Sequence, residues 1–300
     1  MKKESNLFLY SGTFLLVIKT VFSASKIIPY SDFMDTILAA VGAFCMILSI
    51  IMQRYRVKVL LLYAMLIGIT VYNALITRNN ALAATVITCL AIRKTDFKTY
   101  IRYVFRMQSV LVICHTIIAI IGSMIGIFDI TQNIGGITRY DFGTLHPNSF
   151  AALVFNLIIM GIWLNWHKIK TKHIIYMILG SGILYCFCKT RTNFIAMLVV
   201  IGCVYVCRVK HKFVRLIGKI ATVIIPLLSV AMGTAIILYT TGNGIVLLLN
   251  KALNARIILG AYALAHEGFT LFGQNMTSLY TETTWDPIWK LNAFTFDCIY

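Results

Sequence analysis

Three short stretches of this 300-residue chain concentrate the side chains able to do chemistry. The first, TRYDFGTLHPNSF at 138–150, gathers Arg139, Asp141, His146 and Asn148, with Gly135, Gly136 and Gly143 beside them. Glycine lets a backbone turn tightly or approach a ligand. Pro147 fits the first position of a helix, where its missing N–H costs nothing. The second, KTRTNFIAML at 189–198, places Arg191 among the good N-cap residues Thr190, Thr192 and Asn193. An arginine beside a helix N-terminus is a strong anion site, because the dipole, backbone donors and a bidentate fork converge on a phosphate. The third, ARIILGAYALAHEG at 255–268, sets Arg256, Gly260, Ala263 and Glu267 on one helical stripe. The two charges are too far apart along it to pair, and the small residues between them leave an open face for a chain-like ligand. The plainer readings are capped helix starts, a solvated loop and an arginine anchored at a membrane interface.

The elements that must hold these residues are apolar. Hydrophobic residues make up 59% of the chain and charged residues 12%, with a mean hydropathy of +0.84. A soluble domain carries roughly a quarter charged residues, so this composition points to a polytopic membrane protein. The run 34–52, MDTILAAVGAFCMILSIIM, spans 19 residues, enough to cross roughly 30 Å of hydrocarbon. The expected fold is an all-α transmembrane bundle of about nine spans, near 7–25, 34–52, 58–76, 80–92, 108–128, 148–166, 174–188, 193–207 and 219–240. The lysines before the first apolar run resemble a signal peptide, but no clear small-residue cleavage site follows, so it reads as an uncleaved span. The chain then forms one integral membrane domain over 1–300, in which 1–128 holds five spans, 129–147 an outer loop, 148–240 four spans, and 241–300 a large outer region. Asn250, Lys251, Asn254, Arg256, His266 and Glu267 make a crossing near 244–272 expensive, so an interfacial or re-entrant helix is expected there. The closing NAFTFDCIY turns apolar again and is expected to lead into a tenth span.

Charge sets the orientation. With a cytosolic N-terminus, eighteen Lys and Arg but only two acids fall on the inner side, against eight basic and eight acidic residues outside; Lys19 alone is left within a span. Every inner loop then obeys the positive-inside rule. The net charge of +17 is thus a belt that orients spans and meets anionic lipid headgroups. It is no nucleic-acid footprint, for no basic stripe with interleaved aromatics lies in a soluble part. Seven of the eight cysteines fall in spans, where cysteine acts as a small hydrophobe, and no histidine or carboxylate completes a metal site beside Cys186, Cys188, Cys203 or Cys207.

TRYDFGTLHPNSFAALVF, then KTRTNFIAMLVVIG, NARIILGAYALAHEGFTLFGQN and FDCIY, taken together over 137–300, resemble the Wzy-type polysaccharide polymerases of bacterial capsule and exopolysaccharide pathways, relatives of the O-antigen ligases. The resemblance implies metal-independent glycosyl transfer, without cofactor, on the outer face of the bacterial cytoplasmic membrane. The donor would be a glycan on undecaprenyl pyrophosphate and the acceptor a sugar hydroxyl of another lipid-linked repeat unit. Arg191 and Arg256 would hold the pyrophosphate, and Arg139 the pyrophosphate or glycan. His146 with Asn148 would shape the acceptor side. Candidates for a base are His146, Asp141, Glu267 and Asp297, while Thr190 and Tyr300 join the substrate contacts. Further partners would be membrane lipids, a flippase and a chain-length regulator. The late outer region lacks the histidine that ligases place there, which favours a polymerase. The family runs on for further spans, so the chain is expected to be truncated at its C-terminus. A transporter or flippase for lipid-linked sugars is the rival reading, and would need charges lining a path inside the spans.

Overall fold

The computed structural model describes residues 2–53, 55–134, 136–209, 212–253, 256–268 and 270. Eleven α-helices form along them: α1 Lys2–Ser23, α2 Asp32–Met52, α3 Val57–Thr77, α4 Ala81–Ala91, α5 Phe97–Met124, α6 Pro147–Leu164, α7 Thr171–Cys188, α8 Arg191–Val209, α9 Lys212–Thr240, α10 Gly244–Ala252 and α11 Arg256–Glu267. Among the described residues eight helices are long and apolar enough to cross a membrane. The fold is therefore a polytopic all-α bundle, as the apolar runs predict. The ninth candidate is the pair α10 and α11, bent by 120° as a broken span or re-entrant loop. The fourth expected span, 80–92, is realised as α4, whose 11 residues fall short of the roughly 20 needed to cross as a straight helix.

The contacts divide the chain into two compact units, Met1–Tyr63 with Ala84–His211, and Ala64–Ala83 with Lys212–Tyr300. In the first unit α1 and α2 pair antiparallel on a seam that repeats every seven residues. At one end the Ser49 hydroxyl donates to Ser5 O at 2.8 Å and the Ser5 hydroxyl to Ser49 O at 3.2 Å. Seven residues on, Gly12 meets Gly42 so closely that a Cβ on Gly12 would lie 2.7 Å from Gly42 O. After seven more, Lys19 pairs with Asp35 at 3.0 Å. Small residues are what let membrane helices approach, since lipid gives no hydrophobic push between them. Lys19, expected to stand alone in the first span, thus has its counter-charge on the next helix. A core of Val21, Val112, Phe150, Ala151, Leu153 and Cys188 then joins α1, α5, α6 and α7, and Ile174, Met197, Ile201 and Val204 join α7 to α8.

The stretch between α5 and α6, expected as an outer loop, contains a β-hairpin. Strands β1 Thr131–Ile134 and β2 Ile137–Tyr140 pair antiparallel, with Gln132 opposite Arg139. Ile134 pairs with Ile137 across the closed end of the hairpin, β-branched residues that suit a strand.

In the second unit α9 packs against α11 around Ala235, Val246 and Ile257. Gly260 presses on Ile236, whose Cδ1 would sit 2.5 Å from an added Cβ. The Asn250 amide oxygen accepts the N–H groups of Ile257 and Ile258, both at 3.0 Å, which caps the start of α11 from within the chain.

Candidate functional site

The hairpin is seated by aromatic rings. Tyr140 meets Phe187 edge-on at 5.4 Å between centroids, and Phe142 lies 4.6 Å from Phe150 and 6.0 Å from Phe187. Phe150 opens α6 and Phe187 closes α7, so the rings clamp β2 over those two helix ends. The chain after β2 is then sewn to the α1–α2 connection. Leu145 N–H donates to Ala24 O at 2.8 Å and Lys26 N–H to Gly143 O at 2.9 Å. Gly143 has φ +83°, and a Cβ there would meet Ala119 at 2.7 Å, so the turn needs glycine twice over.

Asp141 lies at the centre of this stitching. It is fully buried, bonds Lys26 Nζ at 2.5 Å, and accepts the Gly143 N–H at 2.9 Å. A sealed carboxylate occupied by an ammonium and a backbone donor can neither meet a sugar nor take its proton. The expectation of Asp141 as a base or substrate contact is therefore corrected: it is the tie that fixes the loop. Behind it the buried His115 and Ser25 are joined at 2.9 Å between Nε2 and Oγ, and Ser25 Oγ also accepts the N–H groups of Ile27 and Ile28.

Arg139, Asp141's near neighbour, is only partly buried, yet its Nε is shut away from water without a hydrogen-bond partner among the described residues. Buried donors are almost always paired, so an orphan of this kind asks for an acceptor from outside the chain. The guanidinium stands close enough to His146 to act on its protonation. Burial, and then the Arg139 charge, push the imidazole down to about 4, so it is neutral at ordinary pH. His146 is the N-cap of α6, and its Nδ1 accepts the Asn148 N–H at 3.1 Å. The basic lone pair is thereby spent and the proton belongs on Nε2. In this tautomer His146 is a hydrogen-bond donor through Nε2 and an acceptor through Nδ1.

Asn148 links this corner to the next. Its carbonyl accepts Asn193 Nδ2 at 3.3 Å, so Asn193, expected only as a cap, bridges the first turn of α8 to the first turn of α6. Arg191 is the exposed first residue of α8, and Thr190 before it is buried at 4% exposure, with its carbonyl accepting Phe194 N–H at 3.1 Å. The N–H groups ahead of Phe194 have no carbonyl inside the helix to take them. Lys189, also exposed, sits in the left-handed conformation at φ 54° and turns the chain from α7 into α8.

One end of the first unit therefore carries Arg139 on β2, and His146, Asn148, Asn193, Thr190 and Arg191 at two adjoining helix N-termini. Arg256 belongs to the second unit, where it opens α11 half-buried. The Glu267 side chain, Asp297 and Tyr300 lie outside the described residues. Among the described residues no group of three His, Cys, Asp or Glu is placed to hold a metal ion. Lys26, Ser25 and His115 were missed as parts of this corner. A pair separated by 115 residues leaves no local signature, and a buried histidine in an apolar run reads as packing. No protein family, characterised protein or solved structure matches this chain.

Proposed function

We propose that the chain is a polysaccharide polymerase of the cytoplasmic membrane, transferring a glycan from undecaprenyl pyrophosphate to the terminal sugar hydroxyl of another lipid-linked repeat unit. The observation that carries the reading is the orphaned Nε of Arg139 beside a neutral His146, at a corner where α8 opens with Arg191. Cations and open helix donors, with the nearby Asp141 carboxylate already paired to Lys26, suit a pyrophosphate. The leaving group is already good, so no general acid is required. What it needs is fixed positive charge where negative charge develops, in a site that excludes water. Arg139 and Arg191 would supply that charge. Thr190 and Asn148 would line the site, and His146 would donate to a phosphate or sugar oxygen. Arg256 is the third cation the reading calls upon. The acceptor hydroxyl needs a base; with Asp141 sealed and the His146 lone pair spent, Glu267 and Asp297 are the remaining candidates.

Orientation belongs to the same proposal. The loops that carry the eighteen basic residues would face the cytosol, and the hairpin the outer side.

The test is polymer length on a gel from cells whose own copy is replaced. Arg139→Lys keeps the charge and loses the Nε–H, and Arg191→Ala removes the fork. Each is expected to abolish long polymer at unchanged protein level, with lipid-linked single repeats accumulating. Wild-type ladders from both variants would sink the polymerase reading. An accumulation of repeats on the inner leaflet alone would favour the flippase reading instead.

A further inference from the structure

A second site lies in the first unit, away from the arginine corner. Thr13, Leu16, Val17 and Thr20 of α1, Met46 of α2, Thr88 of α4, and Tyr100, Val104 and Gln108 of α5 enclose an open-sided cavity of about 180 Å³. The positions 100, 104 and 108 recur every four residues, and 13, 16, 17 and 20 are spaced three and four apart, so two helix faces line it.

Gln108 is the observation that points to a ligand. Its side chain is buried at 7% exposure, lines the cavity, and makes no hydrogen bond within the described chain. An amide so placed leaves its two donors and its acceptor to whatever fills the cavity. The threonines differ. Thr13 donates to Leu9 O at 2.8 Å, Thr20 to Leu16 O at 2.8 Å and Thr88 to Ala84 O at 2.7 Å. Each hydroxyl spends its proton on its own helix; the Thr13 oxygen also meets the Tyr100 hydroxyl at 3.3 Å, and the Thr88 oxygen lies 3.2 Å from Met46 Sδ. The cavity thus offers acceptors from three threonines and both kinds of group from Gln108.

The chemistry narrows the occupant. No charged side chain lines the walls, so an ion would lose its hydration without compensation. A plain hydrocarbon would leave the Gln108 amide unpaired. Water alone would fill the volume with about six molecules, yet Leu16, Val17, Met46 and Val104 give it nothing to bond. A hydroxyl satisfies both sides at once, accepting from Gln108 and donating to a threonine, while a hydrocarbon chain covers the apolar wall.

We propose that this cavity binds a neutral alcohol on a hydrocarbon chain, its hydroxyl held between Gln108 and the threonines Thr13, Thr20 and Thr88. The site stands independently of the polymerase reading.

The probe is a diazirine analogue of 1-octanol, photolysed with the full chain in phosphatidylcholine nanodiscs and mapped by mass spectrometry. Labelling is expected on α1 and α5 at the cavity residues, displaced by unlabelled 1-octanol. Gln108→Leu should weaken it about tenfold, the worth of one hydrogen bond. Leu16→Phe, which fills the space and touches no polar group, should remove it while labelling of lipid-facing residues persists. The corresponding octane diazirine should label the site far less than the alcohol. Equal labelling by both probes, or labelling that survives Leu16→Phe, would overturn the proposal and leave a gap filled by lipid tails or water.

Discussion

Asp141 and Arg139 stand two residues apart and meet opposite fates: the Asp141 carboxylate is paired with Lys26, while Arg139 Nε has no hydrogen-bond partner among the described residues. Asp141 is fully buried against Lys26, whose side chain keeps about a quarter of its surface exposed. Removing one member of a buried pair leaves the other charged in low dielectric, which costs about 3 kcal/mol or more. Lys26→Met is therefore expected to destabilise more than Asp141→Asn, since Lys26 can still reach water when its partner is lost. Thermal unfolding in detergent checks the order of the two melting points. His146 offers a second measurement. Its folded value near 4 lies below the ordinary 6.5 because burial and Arg139 oppose the imidazolium. The unfolded chain therefore binds the proton first as pH falls. The stabilisation is complete above 6.5, declines through the interval below it, and is gone under about 4. His146→Asn keeps an N-cap side chain without titrating, and should remove this component of the pH dependence of unfolding.

The α1–α2 seam shows how elements find one another without a hydrophobic drive between them. Serine, glycine and an ion pair succeed each other at seven-residue intervals on both helices, and each alone looks incidental in the sequence. Gly12→Leu would force a side chain where Gly42 O and Met46 already sit, and should cost about 1–3 kcal/mol by overpacking. Ser5→Cys with Ser49→Cys should cross-link on mild oxidation in the wild-type background, since the two hydroxyl oxygens lie 3.2 Å apart. Loss of that cross-link in the Gly12→Leu background would show that the glycine contact sets the register. The spans themselves were legible, because a run such as 34–52 announces a helix by length and apolarity alone. The hairpin at 131–140 was not read as strands: only four residues on each side carry it, and surrounding helix hides so short an alternation. The Asp141–Lys26 tie was illegible for a different reason. A charge in a loop looks solvated until the fold shows what covers it. Arg191 was legible as a cation at a helix start and Arg139 as one in a glycine-flanked loop, while the Asn193–Asn148 bridge between the two helix starts depends on packing no local pattern encodes.

At the scale of the whole molecule, one property organises both ends of the bundle: the uneven distribution of charge along an almost uncharged interior. The inner loops of the proposed topology carry Arg56, Lys58, Arg93, Lys94, Lys168, Lys170 and Lys172. Several are anchored rather than loose. Arg93 donates to the Tyr63 hydroxyl at 2.6 Å, Lys94 stands 3.9 Å above the Tyr55 ring, and Arg208 donates to Ile169 O at 2.7 Å. The Gln53 amide at the end of α2 donates to Ala91 O at 3.0 Å, so α4 returns to that same basic end despite its short length. Such a belt favours contact with anionic headgroups by about 1 kcal/mol for each cation near the surface. In the proposed topology this belt would set the orientation, and that can be tested without knowing the substrate. Single cysteines at Asn133, in the hairpin, and at Thr171, where α7 begins, sit at opposite ends of the first unit. In a background without the native cysteines, a membrane-impermeant maleimide added to intact cells should modify Asn133→Cys and spare Thr171→Cys until the cells are opened. The reverse pattern would put the arginine corner in the cytosol, where an outward-facing glycan donor is absent, and the polymerase reading would fail with it.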